Sequence, residues 1–203
     1  MRGKGFLLRL LDRLLGPAIA TTSLTVKLPV YLSSNQDLSF MEWNKEVNPR
    51  LVETIKNMPS GGVYVDVGAN IGYYSAYASQ ILGANGTILS FEPSTREHVR
   101  LIETRQINAH ECLWEILNSP VGEKTPNFVY LDCFIGHTGM NRIMPNQHKP
   151  SGSRKFKTVA LDDVVEVYGI DSIDVLKVDV EGYEMSALQG AKTLLSEKRI
   201  KTL

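Results

Sequence analysis

The sequence predicts an α/β protein with a mainly parallel, doubly wound β-sheet. The first indication is the order of the predicted elements, because short β-rich runs alternate with stretches of helical character along the chain. The second is composition: runs such as "GGVYVDVG" and "IDVLKVDVEG" are apolar nearly throughout, as parallel strands covered on both faces are. At 203 residues, with 43% hydrophobic and 22% charged side chains, the chain suits one globular domain with a sizeable core.

Residues 1–58 are predicted to form an extension of helix and strand ahead of a main domain at 59–203. Leucines at helical spacing in "FLLRLLDRLL" predict an amphipathic helix. This helix packs on the domain or on a partner, or it lies on a membrane surface, since no apolar run approaches the ~18 residues of a spanning helix. A strand follows at 23–32, placed at an edge by Pro29, and then a helical segment that Pro49 enters or breaks.

The centre of the chain predicts further strands and helices in alternation. The predicted strands are 61–68, 86–93 and 112–122, and the predicted helices are 71–82 and 94–109. Gly83 ends the first of these helices, and Ser94 with Glu97 suggests a capping box at the start of the second.

Residues 136–157 differ in character, being polar and rich in Gly, Pro and cations, and they predict a long loop or lid. The cations Lys149, Arg154, Lys155 and Lys157 either meet a phosphorylated or acidic acceptor or form a solvated surface. Regular patterning then returns with a strand in "IDVLKVDVEG", a helix in "YEMSALQGAKTLLSEK" and the start of another strand in "RIKTL".

The turn "DVGANIG" after the run at 61–68 predicts a ligand site, because ligands of doubly wound sheets bind beyond the carboxyl ends of the strands. Gly68 allows a sharp turn and close approach of a ligand, and Gly72 lets the next helix start close to the strand. The dinucleotide pattern GxGxxG is absent, and Asp66 would repel a pyrophosphate. A cation such as a sulfonium or an α-amino group is favoured instead, by roughly 4 kcal/mol at ~4 Å before desolvation.

Glu92 closes the next predicted strand, twenty residues after Gly72. An acid at this position accepts hydrogen bonds from the hydroxyls of a ribose. A ligand with a ribose, a positive centre and no phosphate fits Asp66 and Glu92 together. We therefore predict S-adenosylmethionine as the cofactor.

Several sequence blocks point to a known family. They are "VYVDVGANIGYYSAYAS", "ILSFEPS", "NSPVG", "VALDD" and "LKVDVEGYEMSALQGAKTLL". Through them, over about residues 60–200, the chain resembles the FkbM family of class I methyltransferases; the last block is the most specific. The resemblance implies the Rossmann-like doubly wound sheet of class I methyltransferases, and O-methylation of a hydroxyl of a sugar, glycan or natural product.

The resemblance also implies which residues hold the cofactor. The turn at 66–72 would line the methionine end, Glu92 would hold the ribose, and Ser119 with Pro120 would border the adenine. In full, the implied cofactor-binding residues are Asp66, Gly68, Ala69, Asn70, Gly72, Tyr73, Glu92, Pro93, Ser119 and Pro120.

Methyl transfer to an alcohol requires orientation and a proton acceptor near the oxygen. The candidate catalytic residues are Asp179 and Glu181, at the end of the fourth strand, and His137 in the predicted loop. In an extended strand Lys177, Asp179 and Glu181 share one side and form a row leading out of the sheet. Alternatively, Lys177 and Asp179 form only an ion pair, and Glu181 only caps the next helix. Asp179 with Glu181 could hold Mg²⁺, but no metal site is predicted.

The charge and the cysteine content of the sequence limit which classes of binding partner and metal site it predicts. Lys plus Arg equals Asp plus Glu, at 22 each, so the bulk charge gives no reason to expect nucleic acid or an anionic membrane as the main partner. Cys112 and Cys133 have no CxxC companion, which excludes a zinc site of that type. We expect a reduced, cytoplasmic protein that acts on a small-molecule or glycan hydroxyl.

The predicted sheet is incomplete at its C-terminal side. A class I methyltransferase sheet has seven strands in the order 3-2-1-4-5-7-6, and this chain supplies four strands and the start of a fifth. We expect a truncated sheet, an oligomer or partner that covers its open edge, or a degenerate protein. A non-catalytic binding module is thus the second functional hypothesis, and an NAD-dependent oxidoreductase is a distant third.

Overall fold

The computed structural model describes residues 2–31, 34, 48–108, 111–124, 128–132, 142–145 and 153–203. Helix α1 (Arg2–Leu15) leads into an antiparallel hairpin of β1 (Ala18–Thr21) and β2 (Lys27–Val30). The hairpin replaces the single strand predicted at 23–32, because Thr25, with a φ of 61°, completes a tight turn between the two strands.

Helix α2 (Pro49–Lys56) follows the hairpin. The Asn48 side chain accepts hydrogen bonds from the amides of residues 50 and 51, and Pro49 occupies the first helical position, where its missing N–H costs nothing. Proline therefore enters this helix. The earlier part of the predicted helical segment, before residue 48, lies outside the described residues.

A five-stranded parallel sheet forms the centre of the protein, as predicted. Its strands are β3 (Val63–Val67), β4 (Thr87–Phe91), β5 (Leu113–Leu117), β9 (Ile173–Val178) and β10 (Ile200–Thr202). The spatial order is β10-β9-β3-β4-β5, with every pair parallel. Counted within this sheet, the order is 3-2-1-4-5, and the predicted start of a fifth strand is confirmed.

Helices cover both faces of this sheet, which explains its apolar strands. They are α3 (Tyr73–Leu82), α4 (Thr95–Ile107), α5 (Leu161–Val167), α6 (Glu184–Gln189) and α7 (Lys192–Ser196). Neighbouring strand residues point to opposite faces, so fully buried Tyr64 packs with α2, α3 and α4, whereas fully buried Val65 packs with α5, α6 and α7. Each such side chain contributes roughly 1.5–3 kcal/mol of apolar burial.

The helix predicted at 183–198 is two short helices, α6 and α7. Gly190 lies between them and packs directly on the chain that follows β5. A Cβ atom on Gly190 would lie 2.1 Å from the carbonyl oxygen of Gly122. The close approach explains why the helix axis breaks at this point.

A second, antiparallel sheet was not predicted. It consists of β6 (Phe128–Asp132), β7 (Arg142–Pro145) and β8 (Arg154–Lys157), in the order β7-β6-β8. The prediction of a loop or lid is wrong for β7 and β8. Buried Val129 and Leu131 alternate with more exposed neighbours along β6, a period of two that the polar, glycine-rich flanks obscured.

The described part of the chain contains no helix that combines the length and the hydropathy needed to cross a membrane.

Candidate functional site

The carboxyl ends of four parallel strands meet at one edge of the central sheet. In the register of the strands, Val67 lies opposite both Phe91 of β4 and Val178 of β9. The segments that follow the strands therefore lie side by side. These segments are residues 68–72, 92–94, 118–120 and 179–182.

Glycines shape the first segment, and contacts within the protein add to the predicted reasons for them. Gly68, Asn70 and Gly72 all have positive φ angles, of 82°, 52° and 85°. A Cβ atom on Gly68 would lie 2.0 Å from the carbonyl oxygen of Asp179, and one on Gly72 would lie 2.3 Å from a methyl group of Leu101. Contacts within the protein thus require both glycines, and the positive φ of Gly68 agrees with the predicted sharp turn.

Asp66 is buried and paired, which contradicts one prediction. Its side chain is 0% exposed; one carboxylate oxygen accepts from Lys177 Nζ at 3.0 Å and the other from Ser75 Oγ at 2.7 Å. The expectation that this carboxylate itself meets a cationic ligand is therefore wrong, because Lys177 already serves as its counter-ion. A buried ion pair satisfied in this way is costly to separate.

A chain of buried hydrogen bonds extends from this ion pair across the sheet. Ser75 Oγ lies 2.9 Å from Ser90 Oγ, and Trp114 Nε1 donates to Ser90 Oγ at 2.9 Å. The network links β9, β3, α3, β4 and β5, and it fixes their relative positions close to the site. The serine in the otherwise apolar "TILSF" is the only sequence signal for it.

Lys177 is central to the charge balance of the site. Its ammonium group also donates to the Gly68 carbonyl at 3.1 Å and lies 3.6 Å from a carboxylate oxygen of Asp179. Burial by itself would lower the pKa of Lys177, but the charges of Asp66 and Asp179 outweigh it and raise the pKa. The ammonium group is therefore charged and fully engaged by the protein.

Glu92 connects the ends of β3 and β4. Its side chain is 6% exposed; one carboxylate oxygen accepts from the Asn70 amide at 2.9 Å and the other from the Ser94 amide at 2.8 Å. Burial raises the pKa of Glu92 to about 7, and nearby Glu97 adds to the shift while the two amides oppose it. Each oxygen keeps a second lone pair, so the carboxylate can accept two further hydrogen bonds.

The strand ends keep a net negative charge, although Asp66 does not supply it alone. Three carboxyl groups lie at these strand ends: those of Asp66 and Asp179 lie 3.0 and 3.6 Å from the Lys177 ammonium group, and that of Glu92 lies at the end of β4. With Glu92 ionised the sum is −2, and with Glu92 protonated it is −1. The formal charge of these four side chains is therefore negative in either case, because Lys177 compensates only one of the carboxylates.

The predicted row of acids beyond β9 does not form. The strand ends at Val178, the Asp179 amide donates to the Val67 carbonyl at 3.0 Å, and the chain then turns through Glu181, whose φ is 49°. The Asp179 side chain is 67% exposed and Glu181 is also exposed. Glu181 makes no helix cap, because α6 begins at Glu184. A positive φ at a glutamate is uncommon, and such strain often marks functional turns.

The remaining predicted site residues divide into two groups. Pro93 and Pro120 are buried and Ser119 is half-buried at the ends of β4 and β5. The side chains of Ala69 and Tyr73 instead lie in the apolar core, with the Tyr73 hydroxyl near the β1–β2 hairpin, so side-chain contact with a ligand is not supported for them. His137 lies outside the described residues.

Asn118 is a site residue that the sequence analysis missed. Its side-chain amide donates to the carbonyls of Glu92 at 2.8 Å and Pro93 at 3.0 Å. It thereby ties the end of β5 to the backbone that carries the Glu92 carboxylate. Its place immediately after a strand, in "ILNSP", is the signal that could have identified it.

A separate cavity of about 400 Å³ lies beside β9, between the start of α2, α6 and the end of β10. Lys177 and Val178 line it, but Asp66, Glu92 and Ser119 do not. Within the described residues no three His, Cys, Asp or Glu side chains are placed to hold a metal ion.

Known proteins resemble this chain. The methyltransferase FkbM domain matches residues 66–203. Methyltransferase sdnD of Sordaria araneosa is 26% identical over 81% of this chain and 73% of its own length. Hexuronic acid methyltransferase AglP of Haloferax volcanii is 26% identical over 64% of this chain and 50% of its own length.

Two solved structures match part of this chain. A protein assigned as an rRNA-methylase from Clostridium thermocellum is 16% identical, with a TM-score of 0.32 over 35% of this chain and 40% of its own. A protein assigned as a transferase from Pyrococcus horikoshii is 12% identical, with a TM-score of 0.37 over 57% of this chain and 48% of its own.

The match to the FkbM domain begins at Asp66 and covers the strand ends, Glu92 and the "KVDVEG" block. It agrees with the Rossmann-like sheet order seen in the structure and with the resemblance noted in the sequence. This chain belongs to the FkbM methyltransferase family.

Proposed function

We propose that this protein transfers a methyl group from S-adenosylmethionine to a hydroxyl group of a sugar, glycan or natural product. The observation that carries the proposal is the position of Glu92, a buried carboxylate with free acceptor capacity in a net negative cluster at the strand ends. Family membership supplies the reaction class. The proposed reaction takes place in the cytoplasm, where this methyl donor is made.

The described residues fit such a cofactor. S-adenosylmethionine supplies an electrophilic methyl group on a sulfonium centre, and a net negative site favours that positive charge. Glu92 would accept hydrogen bonds from the two ribose hydroxyls through its remaining lone pairs. The ion pair of Asp66 with Lys177 would hold the turn at 68–72 in place, because Lys177 also binds the Gly68 carbonyl.

Asp179 is the proposed proton acceptor for the hydroxyl. It stands at the end of β9, its carboxylate is open to solvent, and Lys177 Nζ lies 3.6 Å from it. Glu181, two residues further along the same turn, is the alternative base. Both reach the edge at which the four strand ends meet, which is where a bound acceptor must lie.

Two observations support an acidic sugar as the acceptor. One of the relatives is named as a hexuronic acid methyltransferase, which favours a sugar. On β8, Lys155 and Lys157 share one face of the antiparallel sheet with Phe128 of β6, and Lys155 Nζ lies 3.9 Å from the centre of the Phe128 ring. Ammonium groups held over an aromatic face suit an acidic sugar. The β8 strand leads to Val159, which pairs with the segment after β5 and so adjoins the site.

Transfer of a tritiated methyl group tests the proposal. We expect label from S-adenosylmethionine to enter uronic-acid-containing oligosaccharides in preference to neutral ones. Asp179→Asn should lower kcat about 10²-fold or more, because the proton acceptor is lost. Glu166→Gln, which removes an exposed acid on α5, is the matched control and should leave kcat unchanged.

Two outcomes would count against this assignment. Binding of S-adenosylmethionine without methyl transfer to any acceptor in a broad glycan panel would favour the non-catalytic module. Full activity of Asp179→Asn would remove Asp179 from the reaction and leave Glu181 as the base to test.

A further inference from the structure

Helix α1 carries five of the exposed large apolar side chains of the described residues. Leu14 and Leu15 are 70% and 78% exposed, and Phe6, Leu7 and Leu10 are exposed as well. Each residue of a helix advances by about 100°, so Phe6, Leu7, Leu10 and Leu14 fall within an arc of about 100° on one side of α1. No residue of α1 belongs to either core cluster of the described residues.

Cations border this apolar arc. Arg9 and Arg13, both exposed, lie about 40° apart and next to the Phe6 side of the arc. The first 15 residues carry four cations and one acid, a net charge of +3 from side chains, in a protein whose total is zero. The positive charge is therefore concentrated beside the exposed leucines.

We propose that α1 binds the surface of an anionic lipid bilayer and lies in its plane. An apolar arc bordered by arginines is the arrangement that enters the interface between headgroups and acyl chains while the cations contact lipid phosphates. The helix has 14 residues and is about 21 Å long, which is too short to cross a hydrocarbon core of about 30 Å. Gly16 and Pro17 separate α1 from β1, in which Ile19 is also exposed.

The charge distribution favours lipid over a second copy of this chain. In an antiparallel two-fold pair of α1 helices, the apolar arcs would meet with the Arg9 and Arg13 side chains of both copies on the same side of the contact. Like charges beside such a contact oppose association. An anionic bilayer instead supplies the opposite charge along the whole helix. Binding of α1 to a bilayer would attach the protein to a membrane whether or not it transfers a methyl group.

Vesicle sedimentation with the full chain tests this inference. We expect binding to vesicles of phosphatidylglycerol and phosphatidylcholine in equal parts, and binding weaker by about tenfold or more on phosphatidylcholine alone. Leu10→Gln with Leu14→Gln should weaken binding to the mixed vesicles by about tenfold or more, because the apolar arc is lost. Arg9→Glu with Arg13→Glu should weaken binding to the mixed vesicles by a similar factor, because the substituted helix is repelled by the anionic lipid.

Two matched controls make the result specific to α1. Val167→Gln removes an exposed apolar side chain on α5, and Arg50→Glu with Lys192→Glu makes the same change of net charge on α2 and α7. Both should bind as the unchanged protein does. Failure to bind mixed vesicles, or equal losses in the α1 variants and the controls, would overturn the proposal. So would dissociation of a dimer by the leucine substitutions without vesicle binding, measured by analytical ultracentrifugation.

Discussion

Replacing Lys177 with methionine should lower the free energy of unfolding by about 3–5 kcal/mol, because the substitution leaves the Asp66 carboxylate buried without a counter-ion. Asp66 has no exposed surface, and Lys177 supplies one of its two side-chain hydrogen bonds. Lys177 also donates to the Gly68 carbonyl, so the turn after β3 loses a contact as well. Urea denaturation followed by circular dichroism measures the effect.

A double substitution separates the lost charge from lost packing. Asp66→Asn with Lys177→Met removes both charges and keeps the volume, so it should recover at least half of the stability that Lys177→Met loses. Lys192→Met, on the exposed surface of α7, is the matched control and should change stability by no more than about 0.5 kcal/mol. A loss below about 1 kcal/mol in Lys177→Met would show that this ion pair does not hold the site together.

Gly68→Ala should be among the most damaging small substitutions in the protein, with a loss of about 3 kcal/mol or more. Its φ is 82°, and the added methyl group would lie 2.0 Å from the backbone carbonyl of Asp179. Backbone cannot move aside as a flexible side chain can. The turn after β3 and the end of β9 must therefore separate, and the bond from Lys177 to the Gly68 carbonyl is disturbed with them.

Gly169→Ala provides the control for the conformational part of this loss. Gly169 has a similar φ of 64°, but a methyl group there meets nothing within 4 Å. Its substitution should cost only the conformational penalty of about 1–2 kcal/mol. Equal losses at the two glycines would contradict the contact between the β3 and β9 segments.

Much of the fold could be predicted, because its strands have a strong and local signal. Tyr64 and Val65 are both fully buried, on opposite faces of the sheet, which is what an uninterrupted apolar run implies. The antiparallel sheet of β6, β7 and β8 could not be predicted in the same way. Its strands of four or five residues lie among polar, glycine-rich segments.

The sequence predicted which segments meet at the edge of the sheet, but it did not predict their contacts. The chain order of strand, acid and glycines predicted a site at the edge where the four strand ends meet. The pairing of Asp66 with Lys177 joins residues 111 positions apart, so only the parallel register of β3 and β9 reveals it. The support that Asn118 gives to the Glu92 backbone depends on the neighbouring β5 in the same way. Local patterns carry no information about such partners.

Calorimetric titration with S-adenosylmethionine between pH 5.5 and 8 tests the central claim most directly. Glu92 must be ionised to accept hydrogen bonds from both ribose hydroxyls, and its pKa is about 7. Affinity should therefore rise with pH toward about 7 and level off above it. Glu92→Gln should weaken binding by about tenfold to hundredfold, as expected for hydrogen bonds to a charged group, and should remove the rise with pH.

Glu166→Gln should bind S-adenosylmethionine as the unchanged protein does. Equal affinity of Glu92→Gln and the unchanged protein, or tight binding of NAD in place of S-adenosylmethionine, would contradict the assignment of the strand-end cluster as a site for a cationic methyl donor.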